Sequence, residues 1–220
     1  TELAARLDPE DWYAIAAQYQ RCGAVALERF GGHVAQFLGD GFFAYFGYPV
    51  AHDDAPERGV RAGLAILDAM GDLNAQLDQE HGLRLAVRIG IHTGEVVLGE
   101  GGGTATEVFG EPVHVAARVQ QLAGPDEVVI TDATCRLVQG LFLLAERGAH
   151  QLRGIAHPTT LYRVLQPSGA RGRLRAAATH GLSPFVGREA GRSLLCSRWE
   201  RAREGHGQVV LMSGEPGIGK

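Results

Sequence analysis

The stretch Gln36-Phe37-Leu38-Gly39-Asp40-Gly41-Phe42-Phe43-Ala44-Tyr45-Phe46-Gly47 constrains this chain more than any other. Asp-Gly between two apolar runs is a short-range hairpin signal, because both central turn residues need positive φ, which Gly adopts freely and Asp tolerates. Turn chemistry alone accounts for the identity of Asp40. The second strand of the hairpin carries Phe42, Phe43, Tyr45 and Phe46, which places aromatic rings on both of its faces. A strand apolar on both faces is expected at the centre of a sheet. A carboxylate at the end of such a strand is also positioned to hold Mg²⁺, which takes one or two carboxylates together with substrate phosphates.

A second informative stretch is Gly110-Glu111-Pro112-Val113-His114-Val115-Ala116-Ala117-Arg118. Gly110 closes a strand, Glu111 and Pro112 suit a first helical turn, and Val113, Ala116, Ala117 and Leu122 are spaced for burial. His114 and Arg118 are four residues apart and so neighbour each other on one helix face. A guanidinium matches the geometry of a phosphate and is always charged. An arginine on an exposed helix face is equally an ordinary surface residue.

The remaining periodicities surround these stretches with regular structure. Asp8-Pro9 opens a helix with Trp12, Ile15, Ala16, Tyr19, Cys22 and Ala26 at helical spacing, stopped by Gly31-Gly32. Asp54-Ala55-Pro56 opens another, with Val60, Leu64, Leu67, Met70, Leu73 and Leu77 as its stripe. Leu85, Val87, Ile89 and Ile91 alternate as a strand, continued after Thr93-Gly94 by Val96, Val97 and Leu98. Glu127 to Thr131 and Thr159 to Val164 read as further strands, with a short helix over Ala133 to Val138. This order predicts an α/β sandwich with helices packed on a mostly antiparallel sheet.

These motifs together resemble the catalytic domain of class III adenylate/guanylate cyclases, of the bacterial, soluble adenylyl cyclase-like type. The matching stretches are the Gly-Asp-Gly hairpin running on to Tyr48-Pro49, Ala51 to Arg58, Val87 to Gly94, Gly110 to Arg118, and Leu152-Arg153-Gly154. The resemblance covers residues 1–165 and implies that the 3′-hydroxyl of ATP attacks its own α-phosphate, giving cyclic AMP and pyrophosphate with the help of two metal ions, Mg²⁺ or Mn²⁺. It implies that Asp40 is one metal-holding aspartate, and that the other belongs to a first strand lying upstream of Thr1. The family's transition-state pair of asparagine and arginine falls at His114 and Arg118, so the arginine agrees and the histidine departs. The base-reading lysine and acid fall at Gln36 and Glu107, which still present donors and acceptors to a purine. Arg153 is expected near the polyphosphate. Because such sites are shared between two cyclase domains, the resemblance also implies a homodimer or a second cyclase domain as partner.

Charge divides the chain. Up to residue 167 there are 12 basic and 21 acidic residues, and beyond it 9 and 4. Residues 166–184, with Arg171, Arg173 and Arg175 among Gly, Ala and Ser, read as a solvated linker, and so few charges do not indicate nucleic-acid binding. Over 185–220, a helix from Ala190 to Arg203 with Leu194, Leu195, Cys196 and Trp199 on one side precedes an apolar strand from Gln208 to Ser213. The strand feeds Gly214-Glu-Pro-Gly-Ile-Gly219-Lys220, the pattern of a phosphate-cradling P-loop with ATP as its ligand. The expected organisation is therefore a nucleotidyl cyclase domain over 1–165 without its first strand, a linker, and the start of a P-loop ATPase domain broken off at its phosphate loop. Such a piece is not expected to hydrolyse ATP.

Composition narrows the class further. No apolar run approaches the roughly 20 residues of a membrane helix, and no signal peptide is visible. Cys22, Cys135 and Cys196 lack metal-ligand spacing and fall mainly in apolar stripes, as in reduced core residues of a cytoplasmic protein. The nine histidines form no zinc pattern. Two functions stay open: an adenylate cyclase coupled to an ATPase, and a degenerate cyclase-like module that binds nucleotide or dimerises to regulate the ATPase or a transcriptional regulator. The second is motivated by Gln36, Glu107 and His114.

Overall fold

A computed structural model describes residues 7–39, 41–100, 106–169 and 187–213. The chain divides into two compact units, Thr1–His180 and Gly181–Lys220.

The first unit begins with α1 (Pro9–Glu28), the hairpin strands β1 (His33–Leu38) and β2 (Gly41–Tyr45), and α2 (Ala55–His81). Proline opens both helices, where its missing N–H is not needed. The long helix α2 ends at Gly82 in the left-handed conformation, φ 62. Next come β3 (Arg88–Ile91), β4 (Val97–Glu100), β5 (Thr106–Phe109), α3 (Glu111–Leu122), β6 (Glu127–Thr131), α4 (Asp132–Leu137), β7 (Phe142–His150) and β8 (Thr159–Pro167). Four strands form one sheet in the order β3-β6-β8-β7. The β3–β6 ladder is parallel, and those of β6–β8 and β7–β8 are antiparallel. Two antiparallel pairs, β1–β2 and β4–β5, stand beside it.

The core is organised around β6. Val128, Val129, Ile130 and Thr131 are each fully buried, so this strand is covered on both faces. Val128 and Ile130 pack with Val60 of α2 and with Val138. Val129 points the other way, into a cluster with Val115 and Val119 of α3, Leu152 and Leu161. The alternation is the period of two that a strand imposes. Helices therefore lie on both sides of the sheet.

Several expectations are corrected. The aromatic strand β2 is half-buried along its length and pairs, among the described strands, with β1 alone; the central, doubly covered strand is β6. Its Phe42 ring packs instead over Gly23 of α1, and the ring of Phe46, just past the strand, lies beside Gly59 of α2. The strand expected from Leu85 begins at Arg88. Both backbone groups of Leu85 are bonded at 2.8 Å to the side-chain amide of Asn74 on α2, so they are not offered to a neighbouring strand. The buried side of α3 is Val115 and Val119, while Leu122 is exposed.

In the second unit, α5 (Glu189–Arg203) buries none of its residues. Cys196 on it is exposed, unlike the core position expected. Residues 208–213 form no ladder among the described residues, and Val209 and Leu211 are almost fully exposed. A strand exists only by pairing, and no described segment pairs with this one. Gly214, Gly219 and Lys220 lie outside the described residues.

The seat of α3 depends on one glycine. A Cβ on Gly90 of β3 would lie 2.2 Å from the backbone nitrogen of Gln120 and 2.6 Å from the carbonyl oxygen of Ala116. These are backbone atoms of α3, so the helix itself would have to lift. Gly90→Ala is expected to destabilise the domain by about 3 kcal/mol or more, at the upper end of overpacking costs, measured as a lower denaturant midpoint.

Candidate functional site

The predicted residues lie on three structural pieces. Gln36 is exposed on β1, opposite Phe43 of β2. Glu107 stands in the β5 backbone opposite Gly99, and its side chain lies outside what is described. Strand β5 approaches β1, so the two base-reading candidates stand on contacting strands. Asp40, at the tip of the β1–β2 hairpin, also lies outside the described residues.

The second piece is α3, which carries His114 and Arg118. With Val115 and Val119 turned into the sheet, Glu111, His114, Arg118 and Gln121 share the neighbouring face at spacings of three and four residues. His114 is exposed and Arg118 is partly exposed. Arg118 Nη1 donates to Gln121 Oε1 at 3.3 Å, and no ion pair holds it among the described residues. Its charge is left available to an anion.

The third piece is the turn after β7. Leu152 is buried beneath α3, in the same cluster as Val115 and Val119. The next residue, Arg153, is exposed. A buried leucine thus ties the arginine's backbone to the underside of the helix that carries Arg118.

The supports of α3 do not stand out as site residues in the sequence. Gly90 and Gly94 admit the helix: a Cβ on Gly94 would stand 2.6 Å from Pro112 Cγ. Glycine inside a strand pattern marks close backbone approach, and two of them four residues apart are the available signal. At the other end of α3, Glu127 accepts from the Gly124 N–H at 2.8 Å and pairs with Arg147 at 2.7 Å and Arg163 at 3.3 Å. That carboxylate joins the end of the helix to β7 and β8.

An open depression lies elsewhere, lined by Ala51, His52, Asp53, Asp54 and Glu57. Two of its three carboxylates are paired with arginines, Asp54 with Arg58 and Glu57 with Arg61 at 2.9 Å. The Arg58 side chain, hydrogen-bonded to Asp54 at 2.7 Å, holds that carboxyl below its ordinary range. Among the described residues, no three His, Cys, Asp or Glu side chains gather as a metal site. No helix is long and apolar enough to cross a membrane, again among the described residues.

Two strand pairs and a helix arranged around this mixed sheet define a nucleotidyl cyclase catalytic domain. The chain belongs to the adenylate and guanylate cyclase catalytic domain family, whose model matches residues 12–166. It is similar in structure to the adenylyl cyclase CyaB from P. aeruginosa, with a TM-score of 0.73 and 22% identity over 78% of this chain and 90% of that one. The guanylyl cyclase Cya2 matches with a TM-score of 0.71 and 26% identity, over 74% and 84% of the two chains. An uncharacterized protein of Rhizobium meliloti is 30% identical over the whole of this chain, which covers 21% of that relative. The chain spans 12% to 28% of the length of the first curated relatives it matches.

Exposed residues without tight partners contribute little to stability. Arg118→Ala and His114→Ala are each expected to change unfolding free energy by no more than about 0.5 kcal/mol. Glu127→Ala, which leaves two arginines and the Gly124 amide without their acceptor, is expected to cost on the order of 2 kcal/mol. Urea denaturation of the three variants checks both statements.

Proposed function

We propose that this domain is an adenylate cyclase, converting ATP to cyclic AMP and pyrophosphate at a site completed by a second cyclase domain. The observation that carries the reading is the presentation of Arg118 and His114 on the outward face of α3, a helix seated on the sheet through Gly90. Arg118 offers a permanent charge with forked donors to phosphate oxygens. His114 offers one hydrogen bond where the family has an amide. Gln36 and Glu107 are assigned to the base, and Arg153 to the polyphosphate.

A partner domain is supported by what the two hairpins expose. Phe37 and Leu38 on β1, Val97 on β4 and Phe109 on β5 are all exposed apolar residues, on strands that meet through β1 and β5. Exposed apolar groups gathered around candidate substrate residues suit an interface between two copies, or between this domain and a second cyclase domain.

Mg²⁺ or Mn²⁺ is assigned to Asp40 by resemblance. Such an ion, when bound, neutralises charge on the triphosphate. The described residues supply no metal site of their own. We further propose that the chain continues into a P-loop ATPase through Gly214, Gly219 and Lys220, in a longer signalling protein.

A second reading is favoured by Gln36, Glu107 and His114, which depart from the family pattern. In it the domain binds nucleotide or dimerises without turnover and regulates the ATPase or a transcriptional regulator. Cyclic-nucleotide production by the full-length protein, with ATP or GTP and Mn²⁺, separates the two. We expect cyclic AMP from ATP, its loss by at least about a hundredfold in Arg118→Ala, the scale on which removing one transition-state donor acts, and its loss in Asp40→Ala. His114→Asn is expected to raise turnover. No product from either nucleotide overturns the enzyme reading in favour of the regulatory one.

A further inference from the structure

Three consecutive residues after β3 each reach a different partner. His92 Nδ1 lies 2.8 Å from Thr131 Oγ1. Thr93 Oγ1 lies 3.0 Å from Thr134 Oγ1. Gly94 admits Pro112 in the first turn of α3, and its bare α-carbon also faces the imidazole: a Cβ there would stand 3.4 Å from His92 Nε2. The ring of His92 therefore sits between the start of α4 and the start of α3.

The direction of its hydrogen bond follows the tautomer of the ring. Thr131 Oγ1 accepts the Thr134 N–H as the cap of α4, and both threonines are fully buried. In the Nε2–H tautomer the Thr131 hydroxyl donates to His92 Nδ1, and the ring's own proton lies toward Gly94. A second ring proton, on Nδ1, would set two donors against each other where a displaced hydroxyl finds no solvent.

The charged groups facing the ring are Asp132 of α4 and Glu111 of α3. Asp132 is also paired with Arg136 at 3.3 Å. Both carboxylates favour a protonated ring, but burial opposes it more strongly and holds His92 below the ordinary histidine value. The sign follows from linkage. As pH falls past about 6.5 the unfolded chain binds the proton first, so the seated arrangement loses stability between that value and the lower folded one.

We propose that His92 is a positioning residue for α3: its bond to Thr131 seats the first turn of that helix, and with it the face of His114 and Arg118, and protonation of the ring unseats it. The consequence for substrate rests on the cyclase reading above. The seating itself does not.

The test is amide hydrogen exchange over residues 111–122 of the full-length protein between pH 8 and pH 5.5, corrected for intrinsic exchange rates, with α2 as the internal reference. In the unaltered protein, exchange of the first turns of α3 is expected to rise on acidification by more than the reference helix α2 shows. In His92→Gln, a neutral side chain that can still meet Thr131, the change is expected to stay within about twofold. Thr131→Ser, which keeps the hydroxyl, is expected to retain the unaltered response, and His92→Asn serves as the comparison if His92→Gln does not fold. Protection of α3 that is independent of pH, or that is lost equally in the neutral variants, overturns the proposal. Binding of the α-thio analogue of ATP, followed over the same pH range, is expected to weaken in parallel. If α3 responds as expected while the analogue binds at no pH, the positioning role stands and the cyclase reading fails.

Discussion

The approach of α3 to β3 at Gly90 is the contact on which the rest of the domain depends. With no side chain at that position, the backbone of Ala116 and Gln120 comes down onto the strand. Val115 and Val119 then reach Val129, Leu152 and Leu161. One face of β6 is closed by this contact, and α2 closes the other through Val60. The same descent fixes where His114 and Arg118 emerge. A packing constraint and the placement of the candidate phosphate-binding face are thus one event, and the fold cannot adjust the first without moving the second.

Much of the architecture was legible because local chemistry and burial agreed. Proline and glycine bounded α1 and α2, and an apolar stripe of period 3.6 ran between the boundaries. The β1–β2 hairpin followed from its turn residues. Strand β7 was not legible: its pairing with β8 shifts register between Leu143 and Leu144 and again between Glu146 and Gly148, so its apolar residues do not alternate. The short strand β5, between glycines and the start of α3, gives too few residues for a period to show. Leu85 had the right pattern and lost its place in the sheet to an amide eleven residues away in sequence, which no local rule anticipates.

The candidate site was legible in part, and for a different reason. Arg118, His114, Gln36 and Arg153 could be picked out because residue types with specific chemistry stood in motif positions. Their setting could not be read the same way. Which face of α3 turns inward depends on β6, a strand that follows the helix in sequence. The tie from Arg153 to α3 depends on Leu152, whose burial comes from tertiary packing. Gly90, His92 and Gly94 were visible as a motif, yet their task of seating a helix emerges only when that helix is in place.

The division between what is seated and what is displayed has a bearing on how such a domain changes over time. Gln36 and His114, proposed above for the base and for the transition state, are exposed. The residues that seat α3 beneath His114 are a glycine and buried valines that tolerate little substitution. Mutation at the displayed positions is nearly free of folding consequences, so under the proposed function base preference and turnover can drift between descendants while the scaffold is held constant. In a lineage of such domains, catalytic competence would be lost long before the ability to fold, and a domain retired from chemistry would remain a well-folded component on which a new partner or a new regulatory role can be built.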